Sequence, residues 1–315
     1  MKIVIPGGTG QVGGVLTRAL RLKGHEVVVL SRNGGANHGH SVTWDGRTLG
    51  AWAREIDGCD AVVNLAGRSV NCRYTQKNLK QMLDSRVDST HVVGLAIEQS
   101  KRPPRVWLQM STATIYAHRF DAPNDEQGPL GGGEPGAPDY WRTSIDIAKA
   151  WERTQQEAAT PGTRKVALRA AMVMSPDRGG ILDVLLGLTR ARLGGAIAGG
   201  RQFMSWIHDL DFVRAVEFLL DRDDFHGAVN LAAPNPLPQR DFMAALRRAC
   251  GTRIGLPASR WMLEIGAFIL RTDSELVLKS RRVVPGRLLG AGFSFAFPEW
   301  SAASIELVGR WKNKR

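Results

Sequence analysis

Met1–Leu16, MKIVIPGGTGQVGGVL, is the stretch on which the reading of the whole chain turns. Lys2-Ile3-Val4-Ile5 is a β-branched run too apolar for a strand with one wet face, so it reads as a buried parallel strand. Gly7, Gly10 and Gly13 follow at three-residue spacing, and then Val12, Val15, Leu16 and Leu20 recur at helical spacing. Strand, glycine turn and helix in that order form the context a dinucleotide-binding fingerprint requires. One glycine permits the tight turn, a second lets backbone approach a pyrophosphate, and a third lets the helix pack on the strand. First-turn N–H groups and the helix dipole then face the phosphates. An ordinary strand-to-helix turn is the alternative, since 35 glycines make a chance triplet easy.

Outward from this stretch, His25–Leu30 is a second strand, ending in Ser31-Arg32-Asn33. A fold that binds NAD places a carboxylate at this junction for the ribose 2′-hydroxyl, whereas an arginine accommodates a 2′-phosphate. No Asp or Glu stands here, so Ser31 and Arg32 predict NADP(H); a solvated arginine at a strand end is the bland alternative. A Gly/Asn/His loop over 33–41 leads to a short third strand, Val42-Thr43-Trp44. Asp60–Leu65 is the fourth strand and runs into the small residues Ala66-Gly67, where ligands sit in open α/β sheets. Thr75–Gln99 is a long helix whose Arg86 either reaches the cofactor or pairs with Asp84 or Asp88. Arg105–Met110 is the fifth strand. It ends in Ser111-Thr112-Ala113-Thr114-Ile115-Tyr116, a hydroxyl cluster where proton transfer can be staged or where hydroxyls merely cap a turn.

Residues 117–139, rich in Pro, Gly and acids, predict a surface loop serving as a lid. Arg142–Ala158 is helical and Lys165–Ala170 is the sixth strand. Alternation of this kind means an α/β fold with a Rossmann-type doubly wound parallel sheet. Beyond about residue 175 the pattern loosens. Gln202–His208 is strand-like, Asp209–Leu220 is a helix opened by an acidic cap, Val229–Ala232 is a strand, and Pro238–Ala249, Pro257–Leu270 and Ser274–Lys279 are helical. The expected organisation is a nucleotide-binding domain over 1–175, with 201–235 returning to it. A substrate lobe over 176–315 includes a short C-terminal unit at about 255–305.

At 315 residues, 43% hydrophobic and 23% charged, the composition is that of a soluble globular protein. No run approaches the roughly 18 apolar residues of a membrane span, and no signal segment opens the chain, so a cytoplasmic protein is expected. Cys59, Cys72 and Cys250 are widely spaced and read as reduced thiols, and no metal-ligand spacing occurs. The net charge of +12 asks for an anionic partner. Its arginines are scattered and no nucleic-acid motif accompanies them, which favours a positive cleft for a phosphorylated or nucleotide-linked small molecule over nucleic acid.

Several longer stretches carry a resemblance: NLAG at Asn64–Gly67, DSRVDST at Asp84–Thr90, GGRQFMSWIHDLD at Gly199–Asp211, NLAAPNP at Asn230–Pro236 and RRVVPGRLLGAGFSF at Arg281–Phe295. In these motifs and their order the chain resembles the extended short-chain dehydrogenase/reductases. Within them it is similar to the NADP-dependent, sugar-nucleotide epimerase-like branch sometimes labelled SulA-type. The resemblance covers nearly the whole chain. It implies cofactor contacts from Gly7, Thr9, Gly10, Gln11, Val12 and Gly13, from Ser31 and Arg32, and from Leu65, Ala66 and Gly67. Arg86 and Val173 are implied as lesser contacts.

Catalysis carries over less cleanly. Active members use a Tyr-x-x-x-Lys pair in which lysine lowers the tyrosine pKa. Anchored on Trp151-Glu152, the matching positions are Ser144 and Ala148. Lys149 is one residue off, about 100° around a helix, and Tyr140 lies too far before it. The expectation is therefore that Thr112 or Tyr116 relays the proton, with Arg201, Trp206 and His208 over the substrate. Against it stand a structural His208 near Asp209 or Asp211, a core Trp206 and a salt-bridged Arg201. The other reading is a regulatory or scaffold protein that senses NADPH without turnover; under either, a monomer or homodimer is expected.

Overall fold

The computed structural model describes all residues except 34–38, 135, 136, 139, 260–272 and 315. The strands expected from the apolar runs form: β1 (Lys2–Pro6), β2 (Glu26–Ser31), β3 (Ser41–Thr43), β4 (Ala61–Asn64), β5 (Val106–Thr112) and β6 (Arg164–Ala170). A strand at Gly227–Leu231 joins them in a seven-stranded sheet, and between β6 and this strand lie three shorter ones outside it, Met172–Met174 (β7), Phe203–Met204 (β8) and Trp206–His208 (β9), which makes Gly227–Leu231 β10. Sheet order is β10-β6-β5-β4-β1-β2-β3, and every pairing in it is parallel.

The chain leaves β1 in one direction for β2 and β3 and later resumes on its other side at β4, which opens a crevice at the carboxyl ends of β1 and β4. Period-two alternation sorts the strand residues onto two buried faces. Ile3, Ile5, Val27, Val29 and Val63 meet the helices Gln11–Leu22 (α1) and Asp209–Asp221. Val4, Val28, Leu30, Val62 and Trp107 meet the helix Gln76–Glu98 (α2). Thr75 caps α2, its hydroxyl accepting from Asn78 N–H at 3.2 Å, as a threonine before a helical pattern should.

Beyond β6 the structure adds what the loosened pattern hid. A helix at Ile181–Arg190 lies between glycine pairs, and Trp300–Asn313 forms another. With the helix Gln239–Cys250 they enclose a second apolar cluster that includes Leu182, Leu186, Phe242, Trp300 and Leu307. The cap of the helix after β9 is His208 rather than an acid: its Nδ1 accepts from Leu210 N–H at 3.1 Å. Pro257–Leu270 falls largely outside the described residues. The described part of 117–139 is stapled down by Asn124 N–H to Arg282 O (2.7 Å) and Val284 N–H to Asn124 O (2.9 Å). It is therefore held as a strap and not free as a lid. Among the described residues no helix is long and apolar enough to cross a membrane, and no cluster of His, Cys, Asp or Glu is placed to hold a metal ion.

Candidate functional site

The crevice begins at the glycine turn, where the three glycines have different reasons to be glycine. Gly7 has φ +78°, and a Cβ there would lie 2.8 Å from the Ala66 backbone, so the turn and the end of β4 abut. A Cβ on Gly13 would lie 2.6 Å from Gly8 Cα, which fixes how closely α1 approaches the turn. Gly10, the N-cap of α1, is exposed, and a Cβ there would meet only Gly7 O at 3.5 Å. Among the described residues nothing in the fold itself requires glycine at 10.

Two buried polar atoms flank this turn without hydrogen-bond partners, Gln11 Nε2 and Ser31 Oγ. Buried polar groups are normally satisfied, so both point to a ligand group. Arg32 is exposed, forms no ion pair among the described residues, and borders an open depression of about 470 Å³ shared with Thr43, Trp44, Thr48 and Trp52. Leu65, Ala66 and Gly67 line the crevice half-buried or exposed, and Thr9 and Val12 are likewise partly open. Val173 is buried on β7. Arg86 pairs with neither Asp84 nor Asp88. It donates to Met82 O (3.0 Å), its guanidinium lies 4.8 Å from the Trp151 ring centroid, and it packs beneath Gly67. Burial lowers its pKa to about 10. These residues fit a dinucleotide with a 2′-phosphate: open backbone for the pyrophosphate, and a hydroxyl with a guanidinium at the end of β2.

At the end of β5 the expectations need correcting. Tyr116 is 2% exposed; its hydroxyl donates to Asn230 Oδ1 (2.7 Å) and accepts from Arg169 (2.9 Å). Burial raises its pKa. A phenol so committed is part of the core, not a proton relay facing the crevice. Ser111 is also committed, to Glu152 (2.6 Å), which in turn holds Arg169. Thr112 stays half-buried, its Oγ1 accepting from Thr114 N–H at 3.1 Å.

The proposed substrate residues separate as well. Trp206 is fully buried, its ring centroid 5.0 Å from that of Trp300. His208 is buried, stacked on Phe297 at 4.0 Å and held by Glu306 at 2.9 Å. Both are structural. Arg201 alone is exposed, and it makes no ion pair among the described residues.

In the helix Trp141–Glu157 (α3), Lys149 donates to Gly131 O (3.0 Å) and Ala148 is buried. Ser144, at the position of the absent tyrosine, donates instead to Glu275 Oε2 at 2.5 Å. Glu275, Lys279 and Arg281 come from a C-terminal segment docked against the end of β5: Lys279 Nζ donates to Thr114 O (2.8 Å) and Arg281 Nε to Thr114 Oγ1 (3.2 Å). Burial, then the charge of Arg281, brings the Lys279 ammonium down to about 8, and burial raises the Glu275 carboxyl. None of these three was anticipated. The local signal, Glu275 and Lys279 four apart in an apolar run, matches an ordinary solvated helix face.

A model of the NAD-dependent epimerase/dehydratase family matches residues 3–232, and a domain of unknown function (DUF1731) matches residues 258–304. The second match contains Glu275, Lys279 and Arg281. Among curated proteins, the human epimerase family protein SDR39U1 is 32% identical over 98% of this chain and 100% of its own. The Bacillus subtilis epimerase family protein YfhF is 28% identical over 98% of each. Among solved structures, human SDR39U1 (isoform 2), crystallised with NADPH, superposes with a TM-score of 0.85 at 29% identity, covering 98% of this chain and 99% of that one.

Proposed function

From its membership of the NAD-dependent epimerase/dehydratase family, we propose that this chain binds NADPH across the carboxyl ends of β1, β2 and β4 and reduces or epimerises a small, anionic molecule. The observation that carries the reading is the set around the glycine turn: an open Gly10 and, among the described residues, unbonded buried Ser31 Oγ and Gln11 Nε2 and an Arg32 without an ion pair. The SDR39U1 crystal with NADPH supports the same choice. A reduced nicotinamide, when bound, supplies a hydride. The chain supplies the rest. Gly10 admits the pyrophosphate to the α1 N-terminus, Ser31 and Arg32 grip the 2′-phosphate, and Arg201 is available for a substrate phosphate or carboxylate.

Arg32→Glu is the test. A charge-assisted hydrogen bond is worth about 1.5–3 kcal/mol, so NADPH affinity, followed by nicotinamide fluorescence, falls roughly tenfold to a hundredfold while NADH affinity changes little. Equal affinity of the wild type for the two cofactors overturns the reading. One observation favours a second reading, binding without turnover: α3 carries Ser144 and Ala148 in place of the Tyr and Lys pair, and Lys149 is turned to Gly131 O. Tight NADPH binding without turnover across carbonyl compounds and nucleotide sugars would select it.

A further inference from the structure

We propose that Glu275 is the proton source of this site, acting through the hydroxyl of Ser144, which is the group that meets the substrate oxygen. The inference rests on the reductase reading above and supplies the acid that α3 lacks. Its basis is geometric. Glu275 is 0% exposed, yet among the described residues its carboxyl has one hydrogen bond, from Ser144 to Oε2 at 2.5 Å, and its buried Oε1 has no partner. A carboxylate offers about four acceptor positions; with so few filled in the interior, burial favours the protonated form and outweighs the opposing charges of Arg281 and Lys279. The charged and titratable groups around it are Lys279 and Arg281 on its own segment, Asp273 just before it, and Tyr74 from the loop preceding α2.

Ser144 is half-buried while Glu275 is enclosed, so the serine is the more open member of the pair. When hydride reaches a carbonyl carbon, the π electrons move to the carbonyl oxygen. The Ser144 hydroxyl, which donates to Glu275 Oε2 in the resting structure, turns to that oxygen and gives it the Oγ proton, while Ser144 Oγ takes the proton of Glu275, whose electron pair stays on the carboxylate. Lys279 and Arg281 then face the new negative charge. Bulk water returns the proton to Glu275, and the reductant is a dihydronicotinamide. Glu275 is a positioning and proton-storing residue here, since Ser144 stands between it and the substrate.

The test is infrared spectroscopy of the full-length protein at neutral pH, read beside NADPH binding and NADPH-dependent reduction of diacetyl as carbonyl probe. Expected is a protonated-carboxyl carbonyl band that is missing in Glu275→Gln and shifted in Ser144→Ala. NADPH affinity is unchanged in both variants, and diacetyl reduction falls about a hundredfold in Glu275→Gln, the low end of general-acid effects. The wild-type reduction rate falls at high pH as Glu275 ionises, and that limb is missing in Glu275→Gln. Absence of the band in the wild type, or wild-type rates in Glu275→Gln, overturns the inference. Failure of the wild type to bind NADPH overturns the proposed function instead, and the band still reports Glu275. Should NADPH bind without diacetyl turnover, presence or absence of the band decides.

Discussion

The glycine turn and the Ser144–Glu275 cluster lie two strands apart along one edge of the same sheet, and the chain builds them in opposite ways. The turn is local: Gly7 to Gly13 and the first turn of α1 do most of the work, with Ala66 as the distant neighbour. The cluster is assembled across the chain: Ser144 and Glu275 are 131 residues apart, and Lys279 and Thr114 are 165 apart. A local site owes its form to backbone conformation. A non-local one owes it to packing, and to buried charges that only the packed state can pair.

Three experiments break or sharpen that contrast. The largest effect is expected at Trp206, which lies in the packed region and is fully buried beside Trp300. Trp206→Ala lowers unfolding free energy by about 3–5 kcal/mol in urea titration, and the folded fraction still binds NADPH. A variant as stable as the parent but with weakened substrate affinity would return Trp206 to the binding surface.

Next comes Lys279. Its folded pKa, about 8, lies below the ordinary 10.5. Between these values the unfolded chain holds the proton that the folded chain has released, so unfolding free energy rises with pH in that window. The full difference is roughly 3 kcal/mol. Lys279→Met removes this component, so the wild-type-minus-variant stability should climb from pH 7.5 to pH 10. A flat difference would mean an ammonium reached by water.

The smallest effects come from a pair within the turn. Gly13→Ala puts a Cβ against Gly8 backbone and costs about 1–3 kcal/mol of stability. Gly10→Ala finds room, and thermal unfolding registers less than about 0.5 kcal/mol, while NADPH binding weakens at least tenfold. Equal destabilisation by both would erase the distinction between a glycine needed by the fold and one needed by the ligand.

Much of this was legible before any coordinates. The seven strands of the sheet, the glycine turn and the Ser31–Arg32 junction all rest on spacing within a few residues, which is where apolar periodicity and turn chemistry act. What stayed hidden had a common cause. The helix Ile181–Arg190 lies among glycine pairs, and Trp300–Asn313 ends in basic residues, of which Arg310 grips Asp209, 101 residues away in the chain, at 2.5 Å.

The sequence by itself determined where backbone must turn, which runs must be buried, and which phosphate-binding chemistry the first crossover offers, because these follow from φ restrictions and side-chain period. Only the tertiary structure decided which hydroxyls face the crevice. Tyr116 was drawn into the core by Arg169 and Asn230, and Ser144 was given an acid from the far end of the chain. A polar side chain looks the same in sequence whether water or a buried partner satisfies it, and that choice is made when distant elements pack and exclude the water.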